Sequence, residues 1–161
     1  MRVYVSGPLQ GAADLPAARA LYVAVAAALT GAGHRAYVPH LHTDPEAAGD
    51  LDAASVYDRD VAALLAADAI VAHVGAPSTG VGAELAIAHH AGLSIIGLHR
   101  EGERVSRFAH GLIERAGGTI LVFDNPAELG RLLPPALAAA SPGRRQAAEP
   151  PARPLATGRA G

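Results

Sequence analysis

Two acidic stretches of the sequence carry the residue types best suited to chemistry. The segment GAPSTGVGAELAIAHH over 75–90 sets one carboxylate, Glu84, in an otherwise neutral, alanine-rich run that follows a glycine-rich turn. The segment VYDRDVAALLAAD over 56–68 places a second acid, Asp60, on the same helical face as the apolar Leu64. A charge beside a buried face costs free energy unless it has a purpose, and carboxylates serve as nucleophiles, general acids or general bases. We therefore expect a catalytic carboxylate at Glu84 and a functional one at Asp60.

The residues before Glu84 decide between a structural and a chemical role for it. The spacing predicts that Glu84 lies in the first turn of a helix, where a glutamate can complete a capping box or interact favourably with the helix dipole. A capping box would need serine or threonine three positions earlier, where this chain has Val81. A catalytic carboxylate is therefore the better interpretation.

Short β-branched runs alternate along the chain with longer alanine- and leucine-rich runs, the pattern of βαβ units around a parallel sheet. This pattern predicts strands over 2–6, 34–38, 69–74, 94–98 and 119–123, and helices over 16–30, 53–66, 81–90, 104–116 and 127–140. The chain is therefore predicted to form one α/β domain over 1–140. The segment 141–161, rich in proline, alanine and arginine, is predicted to be a disordered tail.

Two loops of the predicted sheet are candidates for ligand binding. In an open parallel sheet, ligands bind beyond the carboxyl ends of the strands, where the winding direction reverses. This rule singles out SGPLQG over 6–11 and GAPSTGVG over 75–82, after the first and third strands. Both loops are glycine-rich and lead toward a helix, so their backbone N–H groups can hold an anion or a sugar hydroxyl. Neither matches the fingerprint GxGxxG, so a Rossmann dehydrogenase is not expected.

Composition excludes several classes of function. All 13 basic residues are arginine, which excludes a Walker lysine, a Schiff base with pyridoxal phosphate and a lysine nucleophile. A net charge of −2 argues against a nucleic-acid polymer as partner. The chain has no cysteine, which excludes a thiolate metal site and fits a reducing cytoplasm. The eight histidines do not combine with acids at metal-ligand spacing, so no metal is expected. No apolar run is long enough for a signal peptide or a membrane span, so we expect a soluble protein with a small-molecule ligand.

The chain resembles the nucleoside 2-deoxyribosyltransferase superfamily in three segments: VYVSGPLQG over 3–11, YDRDVAALLAADAIVAHV over 57–74 and PSTGVGAELAIAH over 77–89. It is most similar to the small members, the 2′-deoxynucleoside 5′-phosphate N-hydrolases and the CMP N-glycosidases. The resemblance covers residues 2–133 by the order of elements. It implies a flavodoxin-like (Rossmann-like) three-layer sandwich with a five-stranded parallel sheet, and a homodimer that needs no metal or organic cofactor.

The resemblance also implies roles for individual residues. Glu84 matches the nucleophile that attacks the anomeric carbon of the sugar, and Asp60 matches an aspartate that assists at the base or the sugar. Tyr4 matches an aromatic residue that packs near the sugar 2′ position and favours deoxyribose. The substrate-binding residues that it implies are Ser6, Gly7, Pro8, Leu9, Gln10, Gly11, His40, Ser78, Gly80, Gly82 and Ser106. The last of these corresponds to a serine that serves the phosphate site of the neighbouring subunit.

The chain departs from the deoxynucleotide hydrolases in the loop after the first strand. They carry GSIRG there, whereas this chain has GPLQG, with Pro8 and Gln10 in place of the serine and arginine that hold the phosphate. The resemblance implies a hydrolase that cleaves the N-glycosidic bond of a (deoxy)nucleoside or its 5′-monophosphate and releases the free base. Two alternatives stay open: base exchange by a nucleoside 2-deoxyribosyltransferase, and a non-catalytic nucleotide-binding sensor. An intact set of Glu84, Asp60 and Tyr4 favours an enzyme, and the proline-rich tail, unlike the aromatic tail of the transferases, favours hydrolysis.

Overall fold

A computed structural model of the chain describes residues 1–9, 12–44, 46 and 48–140. Its sheet consists of five parallel strands: β1 Arg2–Ser6, β2 Arg35–Tyr37, β3 Ala69–His73, β4 Ser94–Arg100 and β5 Thr119–Phe123. Their order is β2-β1-β3-β4-β5, so the winding direction reverses between β1 and β3. The predicted five-stranded parallel sheet is confirmed. The tail predicted over 141–161 lies outside the described residues.

Helices cover both faces of the sheet: α1 Leu15–Gly31, α2 Ala53–Leu65, α3 Thr79–His90, α4 Arg107–Arg115 and α5 Leu129–Ala139. Because neighbouring residues of a strand point to opposite faces, Val71 packs with Leu29 in the core under α1 and α5, whereas Ile70 packs with Leu85 in the core under α2, α3 and α4. The fold is therefore the predicted three-layer α/β sandwich. Within the described residues, no helix is long and apolar enough to cross a membrane.

A serine cap sets the start of α3. The Oγ of Ser78 accepts a hydrogen bond from the Val81 N–H at 3.3 Å, and the helix begins at Thr79, two residues before the predicted start. Glu84 is therefore in the second turn of α3, and the prediction that it lies in the first turn is wrong. The correction strengthens the chemical interpretation, because a carboxylate beyond the first turn neither caps the helix nor gains much from the helix dipole.

The segment before α4 also differs from the prediction. β4 extends two residues further than expected, to Arg100, and α4 begins at Arg107 rather than at 104. Between them, Glu103 accepts a hydrogen bond from the Arg100 N–H at 2.7 Å and lies 3.0 Å from Nε2 of His73. These contacts hold residues 101–106 as a loop against the carboxyl end of β3.

Candidate active site

A cavity of about 690 Å³ opens beyond the carboxyl ends of β1 and β3, where the winding direction reverses. Its volume is in the range that small-molecule ligands occupy. The wall is built from the end of β1, the segment after β2, the inner face of α2 and the start of α3. Glu84 and Asp60 both line it. The fold thus brings together the two acids that the sequence singles out, which are far apart along the chain.

Two hydroxyls from β1 hold Glu84. Tyr4 Oη donates to Glu84 Oε1 at 2.6 Å, and Ser6 Oγ donates to Oε2 at 2.5 Å. The two donors are two positions apart on one strand, so both side chains point to the same face of the sheet. Tyr4 is 0% exposed and Ser6 is 1% exposed, so water does not compete for either hydroxyl. Each oxygen of the carboxylate therefore has its own buried donor, and its orientation is fixed.

The surroundings of Glu84 make it an unusual carboxyl group. Burial raises the pKa of Glu84, and repulsion from Asp60 acts in the same direction, while the hydrogen bonds from Ser6 and Tyr4 oppose the shift. Burial, followed by the charge of Glu84, raises the pKa of Tyr4 far above its ordinary value, so the phenol keeps its proton and remains a donor. Such perturbed groups in a cavity are typical of functional sites.

Asp60 is held by hydroxyls from a different part of the chain. Thr43 Oγ1 lies 3.1 and 3.0 Å from the two carboxylate oxygens of Asp60, and Tyr37 Oη donates to Oδ1 at 3.2 Å. Burial raises the pKa of Asp60; hydrogen bonds from Thr43 and Tyr37, and the charges of His42 and Arg59, oppose the shift. Asp60 is the eighth of the 13 residues of α2 and lies well beyond its first turn. Its charge is therefore not explained by the helix dipole.

A pair of stacked tyrosines links the two carboxylates. Tyr4 and Tyr37 are register partners in the parallel pairing of β1 with β2, and their rings stack with centroids 5.5 Å apart and planes 18° apart. One ring donates to Glu84 and the other to Asp60. Burial, followed by the charge of Asp60, raises the pKa of Tyr37 to about 12, so this phenol also keeps its proton. His42 stacks on Tyr37 at 4.6 Å. The pairing of two adjacent strands therefore fixes the two acids relative to each other.

The described residues of the segment 39–51 contribute the outer wall of the cavity. His40 lines the cavity and is 8% exposed, and its buried Nδ1 has no hydrogen-bond partner among the described residues. Burial lowers the pKa of His40; Arg19 adds to this effect and Asp44 opposes it. Arg19 of α1 donates to the two carboxylate oxygens of Asp44 at 2.8 and 2.7 Å. This ion pair fastens the segment to α1.

Close packing at Gly7 shapes the edge of the cavity. A Cβ at this position would overlap the ring of Tyr22, a buried residue of α1 that lines the cavity. The hydroxyl of Tyr22 donates to the carbonyl of Pro8 at 2.8 Å. At Gly7 the loop after β1 therefore packs directly on α1. The carbonyl group of Pro8 binds the loop to α1 by accepting the hydrogen bond from Tyr22.

The predicted site residues fall into distinct places. The cavity is lined by Gly7, Leu9, His40, Asp60, Ser78, Gly80 and Glu84. Tyr4 and Ser6 lie behind Glu84, and the fully buried ring of Tyr4 reaches the site through its hydroxyl group. Gly82 and Ser106 line a separate groove of about 540 Å³ between α3 and α4. Gln10 and Gly11 lie outside the described residues.

Sequence reasoning missed three residues that shape the site: Tyr22, Tyr37 and Thr43. The aromatic residue in the second predicted strand was a usable signal, because in a parallel sheet that strand ends at the same edge as the two strands that flank the switch point. Thr43 lies in a segment without periodicity, and no local signal marks it. In the part of the chain that the structure describes, no three His, Asp or Glu side chains form a group that could hold a metal ion.

Comparisons with known proteins identify the class of enzyme. The sequence model of the nucleoside 2-deoxyribosyltransferase family matches residues 3–129, most of the chain. The chain belongs to the nucleoside 2-deoxyribosyltransferase family, a family of enzymes of the N-deoxyribosyltransferase and N-hydrolase type.

Individual proteins are similar to the chain in sequence or in fold. A protein of Trichoplax adhaerens with the provisional name 2′-deoxynucleoside 5′-phosphate N-hydrolase 1 is 45% identical over 74 residues, 45% of this chain and 51% of that protein. The chain thus spans about half the length of that relative. The CMP N-glycosidase of Clostridium botulinum superposes with a TM-score of 0.63 at 19% identity, over 83% of this chain and 97% of its own. A 2-deoxyribosyltransferase of Bacillus psychrosaccharolyticus superposes with a TM-score of 0.59 at 16% identity, over 81% of this chain and 90% of its own. These structures share the fold.

Proposed function

We propose that the chain is a hydrolase that cleaves the N-glycosidic bond of a nucleoside or of a (deoxy)nucleoside 5′-monophosphate and releases the free base. The observation that carries this proposal is the pair of carboxylates, Glu84 and Asp60, in one cavity, each held by its own hydroxyl donors. Family membership supports the type of bond that is cleaved. The names of the Trichoplax and Clostridium proteins, an N-hydrolase and an N-glycosidase, support hydrolysis.

Glu84 is the nucleophile in this proposal. Cleavage of an N-glycosidic bond builds positive charge at C1′ of the sugar, which an ionised carboxylate stabilises and can trap as an ester. One oxygen of Glu84 forms a bond to C1′ while the C1′–N bond breaks, and the electron pair of that bond leaves with the base. Tyr4 and Ser6 hold the carboxylate in one orientation, which lowers the entropic cost of the attack.

Asp60 is the general acid and then the general base. Its raised pKa favours the protonated form, which gives its proton to the departing base, directly or through a water molecule, so that the base leaves neutral. Water then attacks C1′, Asp60 takes one proton of that water, and Glu84 departs as a carboxylate. The sum is nucleoside plus water giving sugar plus base, with both carboxyl groups restored.

The start of α3 is the proposed place for the 5′ end of the substrate. Ser78 and Gly80 line the cavity there, and a helix N-terminus favours an anion. Among the described residues that line the cavity, none is an arginine. A 5′-monophosphate would therefore depend on these backbone and hydroxyl groups, and a nucleoside would need no such charge.

We further propose that the protein is a homodimer in which a second copy covers the groove between α3 and α4. Val81 and Leu85 of α3 and Leu112 of α4 line this groove, and Phe108 at its rim is 83% exposed. Pro77, Ser78 and Thr79 line both the groove and the cavity, so a partner here would border the active site and bring its own Ser106 close. Light scattering should give twice the chain mass for the wild type and the single mass for Phe108→Glu; a wild-type monomer at tens of micromolar would exclude the dimer.

The function is tested by incubating the protein with ribo- and deoxynucleosides and their 5′-monophosphates, with and without a second base. Chromatography then measures free base and new nucleosides. Release of base without an acceptor is the expected result. A new nucleoside formed only when an acceptor base is present would instead show a transferase. No release from any compound, together with a raised melting temperature in the presence of a nucleotide, would show a binding module.

A further inference from the structure

The hydroxyl of Thr43 has more acceptors than it can serve at once. Its Oγ1 lies 3.1 and 3.0 Å from the two oxygens of Asp60 and 3.1 Å from the carbonyl oxygen of Pro39. A hydroxyl has a single hydrogen to donate but can also accept hydrogen bonds. The Pro39 carbonyl already accepts from the N–H groups of His42 and Thr43, both at 2.8 Å. The Thr43 hydrogen can therefore turn to Asp60 without leaving that carbonyl unpaired.

This geometry satisfies Asp60 in both of its protonation states. When Asp60 is ionised, Thr43 donates to the carboxylate, and the negative charge strengthens the hydrogen bond. When Asp60 is protonated, its own O–H can donate to Thr43 Oγ1, and the Thr43 hydrogen turns to the Pro39 carbonyl. Thr43 is only 7% exposed, so water does not readily replace either arrangement.

We propose that Thr43 is a positioning residue for Asp60, whose hydroxyl changes partner between the Asp60 carboxyl and the Pro39 carbonyl as Asp60 gives up and regains its proton. This inference rests on the proposed function, in which Asp60 protonates the leaving base and then takes a proton from water. No bond of Thr43 forms or breaks, since its hydrogen changes only the acceptor. The side chain acts through Asp60, which protonates the base as Glu84 attacks C1′.

Other charged or titratable groups also act on Asp60, and the test must hold them constant. They come from the elements packed around it: Tyr4, Tyr37, His42, Arg59 and Glu84. All five remain in a variant altered only at Thr43. A change in the titration of Asp60 in such a variant therefore reports the loss of the hydroxyl.

The experiment compares Thr43→Val, which keeps the shape and loses the hydroxyl, with Thr43→Ser, which keeps the hydroxyl. A ¹³C NMR titration of the carboxyl groups in the full chain, with the Asp60 signal identified through Asp60→Asn, needs no turnover. The pKa of Asp60 should rise in Thr43→Val, because the ionised form loses a donor, and should return to the wild-type value in Thr43→Ser. In the base-release assay, kcat should fall about tenfold in Thr43→Val with KM within about twofold, and Thr43→Ser should recover the rate.

Failure of this inference is distinguishable from failure of the proposed function. An unchanged titration and kcat in Thr43→Val would overturn the role of Thr43 while Glu84-dependent base release stands. Equal defects in Thr43→Ser and Thr43→Val would also overturn it, because the hydroxyl would not then matter. A shift of the Asp60 titration that serine reverses supports the inference even if no compound in the panel is cleaved. If melting curves show that Thr43→Val does not fold, Thr43→Ala replaces it in the same comparison with serine.

Discussion

The two sides of the cavity hold their carboxylates in different ways. On the side of β1 and α3, Glu84 receives hydrogen bonds from Tyr4 and Ser6, two buried residues of one strand inside the sheet. On the side of α2, Asp60 receives its bonds from Tyr37, on the three-residue edge strand β2, and from Thr43, in the segment beyond that strand. The sheet fixes the first acid, and an edge strand and a loop hold the second.

This difference suits the two roles that we propose. A nucleophile must approach C1′ in one orientation, so two rigid donors on a central strand serve it well. A group that gives up and regains a proton must be satisfied in both states, and a hydroxyl with alternative acceptors can do so. The comparison therefore predicts that changes on the two sides will have different chemical consequences as well as different sizes.

The largest effect is expected on the side of the nucleophile. Glu84→Ala should reduce base release at least about a thousandfold, because the covalent step loses its reacting group. The fall should be similar for every substrate that the wild type cleaves. Asp58→Ala is the matched control, because Asp58 is an exposed acid of α2; it should keep the wild-type rate. A Glu84→Ala variant with near-normal rate would refute the assignment.

Substrates with different leaving groups distinguish the role of Asp60 from that of Glu84. Asp60→Asn should slow base release from ordinary nucleosides about a hundredfold, in the range of general acid catalysis. Nucleosides of 7-methylguanine carry a cationic base that leaves without protonation, so the same variant should lose less than about tenfold with them. Rates with both substrates are measured for Asp60→Asn and Glu84→Ala. Equal losses with the two substrates in Asp60→Asn would show that Asp60 does not protonate the base.

A smaller effect should appear in the pH dependence of the nucleophile side. Glu84 must be ionised to attack, and its pKa is raised by burial, so kcat/KM should fall as the pH drops through a value above that of an ordinary glutamate. Ser6→Ala removes a donor to the ionised form, which raises the pKa of Glu84 further and moves this acid limb to higher pH. At a pH on the limb, the variant should be about tenfold slower than the wild type, while the two rates converge at higher pH. An acid limb that does not move would contradict the contact between Ser6 and Glu84.

The smallest effect should come from the outer wall. Arg19→Ala breaks the ion pair with Asp44 that fastens segment 39–51 to α1, so the substrate must order this segment when it binds. KM should rise about threefold with kcat nearly unchanged, a modest effect because Arg19 is partly exposed and water screens the pair. Arg131→Ala, at an exposed arginine on α5, is the control. A fall in kcat as large as that of Asp60→Asn would show that the segment does more than enclose the substrate.

The strongly patterned parts of the fold could be predicted from the sequence. Alternation of β-branched and alanine-rich runs gives the order of strands and helices, and that order places the site between β1 and β3. Glu84 stands out because its neighbours are neutral and because Val81 cannot close a capping box with it. Both features are local, and local features can be recognised without coordinates.

Features that depend on tertiary contact could not be predicted in this way. The contact of Thr43 with Asp60 joins residues 17 apart, and Thr43 itself lies outside every helix and strand. The stacking of Tyr37 on Tyr4 depends on the register of two parallel strands, which the sequence pattern leaves open. The predicted start of α3 at residue 81 is two residues too late, because the cap at Ser78 stabilises a first turn that contains Gly80.

The central claim is that Glu84 forms the bond to C1′. A 2′-fluoro-substituted nucleoside tests it directly, because fluorine slows both the formation and the hydrolysis of the sugar ester and lets the ester accumulate. Trypsin cleavage after Arg59 and Arg100 gives a peptide over 60–100 that contains both acids, and fragmentation of this peptide by mass spectrometry locates the added sugar. The account predicts the label on Glu84; a label on Asp60 or on any other residue would contradict it.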